Sequence, residues 1–203
     1  MNLLALDLSK RSTGWAYLGD GAGRAFHGCW DDIASEYTTN RGQVFYKLYE
    51  KLMNHHGLMP IGKIFAEDMI NILPPRRDAS GQSVSIPTNL ESIRLAAGMS
   101  ATLELFAYTI NVPLIWLNQA SWRRHFLGKM PRGTKSIDLK FEAMQHCKRL
   151  GFRPLKHDDA EAIGILDYAC ELEGIHQPWR PAPPPPKPIT GELPLPPVEE
   201  TVR

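Results

Sequence analysis

The chain has 203 residues, 43% of them apolar and 22% charged, with a formal net charge of +1. That balance suits one globular domain with a real core; it excludes a largely disordered chain and gives no global charge signal for nucleic acid. Cys29, Cys147 and Cys170 are odd in number, far apart and without a CxxC pair, which excludes a disulfide framework and a cysteine zinc site. No apolar run approaches the roughly 18–20 residues of a membrane span. An acid at position 7 interrupts the stretch a signal peptide would continue. A cytoplasmic protein without a membrane partner is expected.

The chain opens with NLLALDL, an apolar run of strand length. A turn-like SKRSTG follows, then WAYLG and RAFHGCW. These read as three consecutive strands in an antiparallel meander. In 41–56, Val44, Leu48 and Leu52 recur every fourth residue, which predicts an amphipathic helix. KIFAEDMI predicts a fourth strand ending in acids. Residues 72–88 predict a long loop. Asn89 is the expected cap of a helix through LESIRLAAGMSATLELFAYTI. VPLIWL predicts a fifth strand. SWRRHFL, SIDLKFEAMQHCKRL and DDAEAIGILDYACELE predict three closing helices. The order is that of a layered α/β sheet.

From Gly174 the chain reads GIHQPWRPAPPPPKPITGELPLPPVEETVR. Proline fixes φ and removes a backbone donor, so neither a helix nor a central strand fits. The expectation is a domain over 1–173 and a proline-rich, disordered tail over 174–203. That tail is either merely solvated or a docking site for a proline-recognising partner.

Asp7 lies inside the first strand, between Leu6 and Leu8, where a carboxylate is costly to bury without a partner or a metal. Glu67 and Asp68 end the fourth strand, at the carboxyl edge where such sheets bind ligands. Asp158 and Glu161 are three apart at a helix start and share one face. Acids in a first helical turn also complement the dipole and cap free N–H groups, which by itself accounts for Asp158 or Asp159. Capping accounts for neither Asp7 nor Glu161, which lies among Ala160, Ala162, Ile163 and Ile165. Four separated carboxylates able to converge suggest a magnesium site, because hard cations prefer oxygen ligands.

Between 119 and 157 lie Arg123, Arg124, Lys129, Arg132, Lys135, Lys140, Lys148, Arg149, Arg153 and Lys156, opposed only by Asp138 and Glu142. Such a local excess suits phosphate neutralisation, although a solvated basic helix face has the same composition. Arg76 and Arg77 form a second basic point. Trp122 is either a base-stacking group or a core residue. His125 and His157 are weak candidates for metal ligation or proton transfer.

These stretches together resemble the RuvC Holliday-junction resolvases, particularly their compact phage and prophage forms, over roughly residues 2–172. LALDLSKRSTGWAYL resembles the family's first strand, turn and second strand. IFAED supplies the acid at the fourth strand's end. SWRRHFLG with Lys135 resembles its basic segment, and DDAEAIGI its closing motif. The family usually has Asp-Pro-Gly where this chain has Asp7-Leu8-Ser9, and a final Asp where this chain has Glu161, one methylene longer.

The resemblance implies an RNase H-like α/β fold. Three antiparallel strands followed by two more would form a five-stranded mixed sheet flanked by helices. It implies a nuclease that cuts branched double-stranded DNA such as four-way junctions, in recombination, repair or phage DNA processing. The products would carry 5′ phosphates. Asp7, Glu67, Asp158 and Glu161 would be catalytic carboxylates holding two Mg²⁺ ions, with Mn²⁺ able to substitute. Lys135, a catalytic candidate, and Arg123 would contact DNA near the scissile phosphate. Arg124, Arg76 and Arg77 would add to the DNA surface. It also implies a homodimer, for which the helix 89–110 offers Ala96, Ala97, Gly98 and Ala101 as small residues allowing close approach. Two other readings fit less of the chain. An actin-like ATPase shares the opening Asp-plus-turn, but no second glycine-rich phosphate loop is present. A catalytically inactive DNA-binding or scaffold relative would not need all four acids.

Overall fold

The protein is described by a computed structural model, which covers residues 1–34, 40–69, 76–77, 83–84 and 90–181. The first three strands are β1 (Leu3–Asp7), β2 (Thr13–Leu18) and β3 (Phe26–Trp30). Helix α1 (Arg41–Leu58) leads to β4 (Lys63–Glu67). A two-stranded hairpin of β5 (Arg76–Arg77) and β6 (Ser83–Val84) stands apart from the main sheet. Then come α2 (Leu90–Thr109), β7 (Leu114–Leu117), α3 (Gln119–Leu127), α4 (Ser136–Arg149) and α5 (His157–Leu172).

The main sheet has the order β3-β2-β1-β4-β7. β1 pairs antiparallel with β2 and parallel with β4, and β4 pairs parallel with β7. This is the five-stranded mixed sheet expected from the sequence. The stretch 72–88, expected as loop throughout, contains the β5–β6 pairing. Asn89, expected to cap α2, lies outside the described residues.

Strand alternation splits the core into two layers. Leu3, Ala5, Ala16, Leu18 and Phe65 face one way and pack with Trp122, Phe126, Ala143, Cys147 and the apolar run of α5. Leu4, Leu6, Leu8, Tyr17, Ile64 and Ala66 face the other way and pack with α1 and α2 through Val44, Leu48, Leu52, Met99, Leu103 and Phe106. The same parity puts Asp7 on the α5 side, two residues beyond Ala5, and Glu67 two beyond Phe65.

Small residues on that side let α5 come close. Asp7 is in register with Gly14 across the β1–β2 pair. A Cβ on Gly14 would stand 1.9 Å from the Asp158 carbonyl oxygen, so no larger residue fits there. On the far side of α5, Gly164 admits the rings of Phe126 and Trp122, which a Cβ would meet at 2.8 and 2.9 Å. Sequence parity and these two glycines therefore bring the start of α5 against the carboxyl ends of β1 and β4.

The ordered contacts run past the domain end expected at Glu173. Asp167 in α5 is fully buried. Its carboxylate accepts from Trp179 Nε1 at 2.8 Å, Arg180 Nε at 2.8 Å and Arg180 Nη2 at 2.5 Å. His125 Nε2 lies 3.0 Å from Oδ2, the oxygen that Arg180 Nη2 also engages, and Gln177 donates to the Asp167 backbone carbonyl. Trp179 packs edge-on against Phe152 at 5.3 Å. The segment from Gly174 to Arg180 is thus clasped to the domain. The rest of the expected tail, 182–203, lies outside the described residues.

Candidate active site

Asp7, Asp158 and Glu161 each place a carboxylate oxygen within 4.8 Å of the others. Asp7 comes from the end of a central strand. The other two come from the first turns of α5, three residues apart on one face. The cap position of α5 is Lys156, and it makes no side-chain capping bond. Local capping chemistry belongs to Asp159 instead. Its Oδ2 accepts from the Leu155 N–H at 3.1 Å, and its Oδ1 lies 2.7 Å from His27 Nδ1. Asp158 is left facing Asp7 and Glu161.

The electrostatics of the trio are those of crowded like charges. Burial pushes the Asp7 carboxyl well above the usual range, and Glu161, Glu67 and Asp158 push it further. Glu67 is also raised, first by burial; hydrogen bonds and the Arg123 charge oppose this. Both of its oxygens are engaged by α3: Gln119 Nε2 donates at 2.5 Å and Trp122 Nε1 at 2.8 Å. Glu67 therefore stands beside the trio, oriented by α3.

Two cations reach the same group. Arg123 pairs with Glu161, its guanidinium 5.2 Å over the Trp122 ring. Lys140 Nζ lies 3.1 Å from Asp158 Oδ1 and 3.1 Å from Glu161 Oε2. Burial acts to lower the Lys140 pKa, but Glu161 and Asp158 outweigh it and leave it raised.

The donor set fits a hard divalent cation. Its three members are carboxylates, and among the described residues no soft ligand joins them. The nearby Cys147 thiol is fully buried and turned to the Ala160 carbonyl, and burial raises its pKa. Burial also pushes Cys29 up to about 11, so it is no thiolate at neutral pH.

The other expected residues are dispersed. Lys135 is exposed at the N-cap of α4, and the basic side chain that α4 sends into the acidic group is Lys140. Arg124 is exposed, whereas Arg123 is turned inward to Glu161. Arg76 and Arg77 lie in the β5–β6 hairpin. Trp122 is a core residue with no exposed surface. His125 serves Asp167, away from the trio. Asp68 is exposed at the end of β4. Gly98 faces inward: a Cβ there would meet the Phe45 ring at 2.0 Å. Sequence reasoning missed Lys140 as a site residue, and missed Gln119 and Trp122 as the partners of Glu67.

No family model matches the chain, and no curated protein matches it. Solved structures do. RuvC of Thermus thermophilus in complex with a Holliday junction substrate superposes with a TM-score of 0.57 at 10% identity, over 86% of this chain and 96% of that one. Thermus thermophilus RuvC in a second structure gives 0.54 at 12% identity, over 87% and 99%. The yeast mitochondrial Holliday junction resolvase Ydc2 gives 0.49 at 16% identity, over 80% and 75%. The fold is thus α/β and RNase H-like, of the type that RuvC resolvases have. Among the described residues, no helix is long and apolar enough to cross a membrane.

Proposed function

We propose that the chain is a divalent-cation-dependent endodeoxyribonuclease that cuts branched DNA such as four-way junctions. One observation carries the reading. Asp7, Asp158 and Glu161 converge at the carboxyl ends of the central strands, in a fold that RuvC resolvases share. In this reading Asp7, Asp158 and Glu161 hold the cation, and Glu67 joins them. Two Mg²⁺ ions, or Mn²⁺ in their place, would supply a bound water of lowered pKa for attack on phosphorus and would stabilise the leaving 3′ oxygen.

The chain's own residues supply the rest. Gln119 and Trp122 fix the Glu67 carboxylate by both oxygens, so its orientation is set before substrate arrives. Arg123, stacked on Trp122, holds a positive charge beside Glu161 that would offset charge developing on the phosphate. Lys135 and Arg124, both exposed, suit contacts to backbone phosphates. Arg76 and Arg77 would extend that surface from the hairpin.

The partner would be a second copy of the chain. A two-fold pair of sites suits a four-way junction. Helix α2 exposes Leu90, Ile93, Ala97, Ala101, Leu105 and Tyr108 at intervals of three and four, an apolar stripe that supports this contact. Gly98 takes no part, because it is used against α1. The proline-rich stretch after Pro181 remains a candidate for a proline-recognising partner.

Labelled four-way junction, fork, flap and linear duplex, each incubated with the full chain with and without Mg²⁺, test the reading. Cation-dependent cutting of the junction in preference to linear duplex is expected. Binding without any cutting in Mg²⁺ or Mn²⁺ would overturn it.

A further inference from the structure

The acidic group contains a charge that its proposed cation would have to displace. Lys140 comes from α4, and its Nζ stands 3.1 Å from an oxygen of Asp158 and 3.1 Å from an oxygen of Glu161. It therefore bridges two of the three carboxylates that come within 4.8 Å of one another. Both are carboxylates that a divalent cation held by the trio would draw on. We infer that Lys140 is a tethered stand-in cation: it neutralises Asp158 and Glu161 in the empty site and must withdraw from both when a divalent cation enters. The inference rests on the metal-site reading above and adds to it a determinant of cation affinity.

The two basic residues at the site differ in the way this role needs. Arg123 is held. Its planar group lies over Trp122, and its side chain is 13% exposed. Lys140 is 31% exposed, on a flexible four-carbon stem with no aromatic partner among the described residues, so a route to solvent is open to it. A single charge at about 3 Å from each oxygen is a fair substitute for a cation while the site is empty, since it relieves the repulsion within the trio. It becomes a competitor once a doubly charged ion is offered. A carboxylate oxygen cannot serve the ammonium and the ion equally, and the two positive charges repel. Lys140 sits on α4, whereas Asp158 and Glu161 sit on α5 and Asp7 on β1, so withdrawal requires only side-chain rotation about the lysine stem.

The test is Mn²⁺ binding to the full chain without DNA, followed by electron paramagnetic resonance of the free ion, with cation-induced change in melting temperature as a second readout. Lys140→Met is expected to lower the Mn²⁺ dissociation constant by about ten-fold or more, from the loss of one repelling charge at short range. It should also lower the melting temperature of the cation-free protein and enlarge the rise that Mn²⁺ produces. Lys51→Met makes the same charge change on α1, on the opposite face of the sheet, and should leave the dissociation constant unchanged. Lys140→Gln, which keeps a polar group, repeats the measurement should the methionine variant fold poorly. Unchanged or weaker Mn²⁺ binding in both Lys140 variants, with wild type binding normally, overturns the inference and leaves the metal site standing. Absence of binding in wild type and variants alike overturns the metal site, and the inference with it.

Discussion

Helix α5 carries buried carboxylates at both ends, and the two ends are built differently. At its C-terminal half Asp167 is fully buried and fully answered: Arg180 engages both oxygens, and Trp179 and His125 complete the set. At its N-terminal end Asp158 and Glu161 face Asp7, with Glu67 beside them, and among the described residues only Lys140 and Arg123 oppose these four acids. Burial of charge is common to both. What distinguishes the candidate site is crowding of like charges at a strand end without full compensation, a cost that a structural pair avoids. Asp167 looks like a lock, whereas the trio looks like a receptor for positive charge.

Exchanging one oxygen for nitrogen at each end gives the largest contrast. Asp7→Asn is expected to reduce junction cleavage about a thousand-fold or more, with junction affinity kept and the melting temperature unchanged or raised, because repulsion is relieved. Asp167→Asn should do the opposite. It leaves Arg180 and His125 without their anion, costing about 3 kcal/mol of stability, while the folded fraction still cuts at the normal rate. Single-turnover cleavage together with thermal unfolding reads both. Normal turnover by Asp7→Asn would remove the distinction between the two ends.

Gly14→Ala sharpens the contrast from the sheet side. The added methyl would sit 1.9 Å from the Asp158 carbonyl oxygen, against backbone that cannot rotate aside, so the first turn of α5 must move. A displacement of that order at a reacting centre costs about a hundred-fold in rate. The Asp167 end is not touched. The expected result is loss of cleavage and of Mn²⁺ affinity with the 174–180 clasp intact, as judged by protection of that segment from proteolysis. Wild-type cleavage would show that the close approach of α5 to β2 is not required.

Much of the acidic end was legible in the sequence, and little of the other. Asp7 could be found because a charge interrupts an apolar run of strand length, and Glu67 because it ends one. Asp158 and Glu161 followed from helical spacing. Lys140 could not be singled out. It is one of ten basic residues between 119 and 157, and which of them reaches the carboxylates depends on how α4 docks. Asp167 carries the same signal as Glu161, an acid among apolar residues. Its partners lie in a stretch whose prolines suggested a solvated tail, and a local composition does not reveal a long-range ion pair. Gly98 read as an open contact because helical spacing does not say which neighbour fills the space.

Truncation measures the clasp directly. A chain ending at Glu173 loses Gln177, Trp179 and Arg180 and leaves the buried Asp167 with His125 alone. A chain ending at Pro181 keeps all of them. The shorter chain should melt about 5–10 °C lower, equivalent to about 2–3 kcal/mol for a domain of this size. The longer one should melt with the full chain. Equal melting temperatures for both truncations would return the boundary to Gly174 and make the clasp energetically idle.

A pH-dependent effect concerns a buried base on the other face of the sheet. His55 lies among the rings of Trp15, Tyr17 and Trp30 at centroid distances of 4.9, 5.8 and 5.7 Å, with no hydrogen-bond partner at Nε2 among the described residues. Burial, with a smaller push from His56, lowers its pKa from 6.5 to about 4. The sign follows from proton counting. Between those two values the unfolded chain holds a proton on this ring and the folded chain does not, so stability falls as pH drops from 6.5 toward 4. It is undiminished above 6.5, and the loss reaches about 3 kcal/mol at the bottom of the window. Every other titrating group adds to an acid profile, so the informative quantity is a difference. His55→Phe keeps an aromatic ring in the cage and removes the proton site. Its urea-unfolding free energy, compared with wild type at pH 7, 5.5 and 4.5, should move in the variant's favour as pH falls. A constant difference across that range would mean that the cage accommodates the protonated ring, and that the carboxylates alone set acid stability.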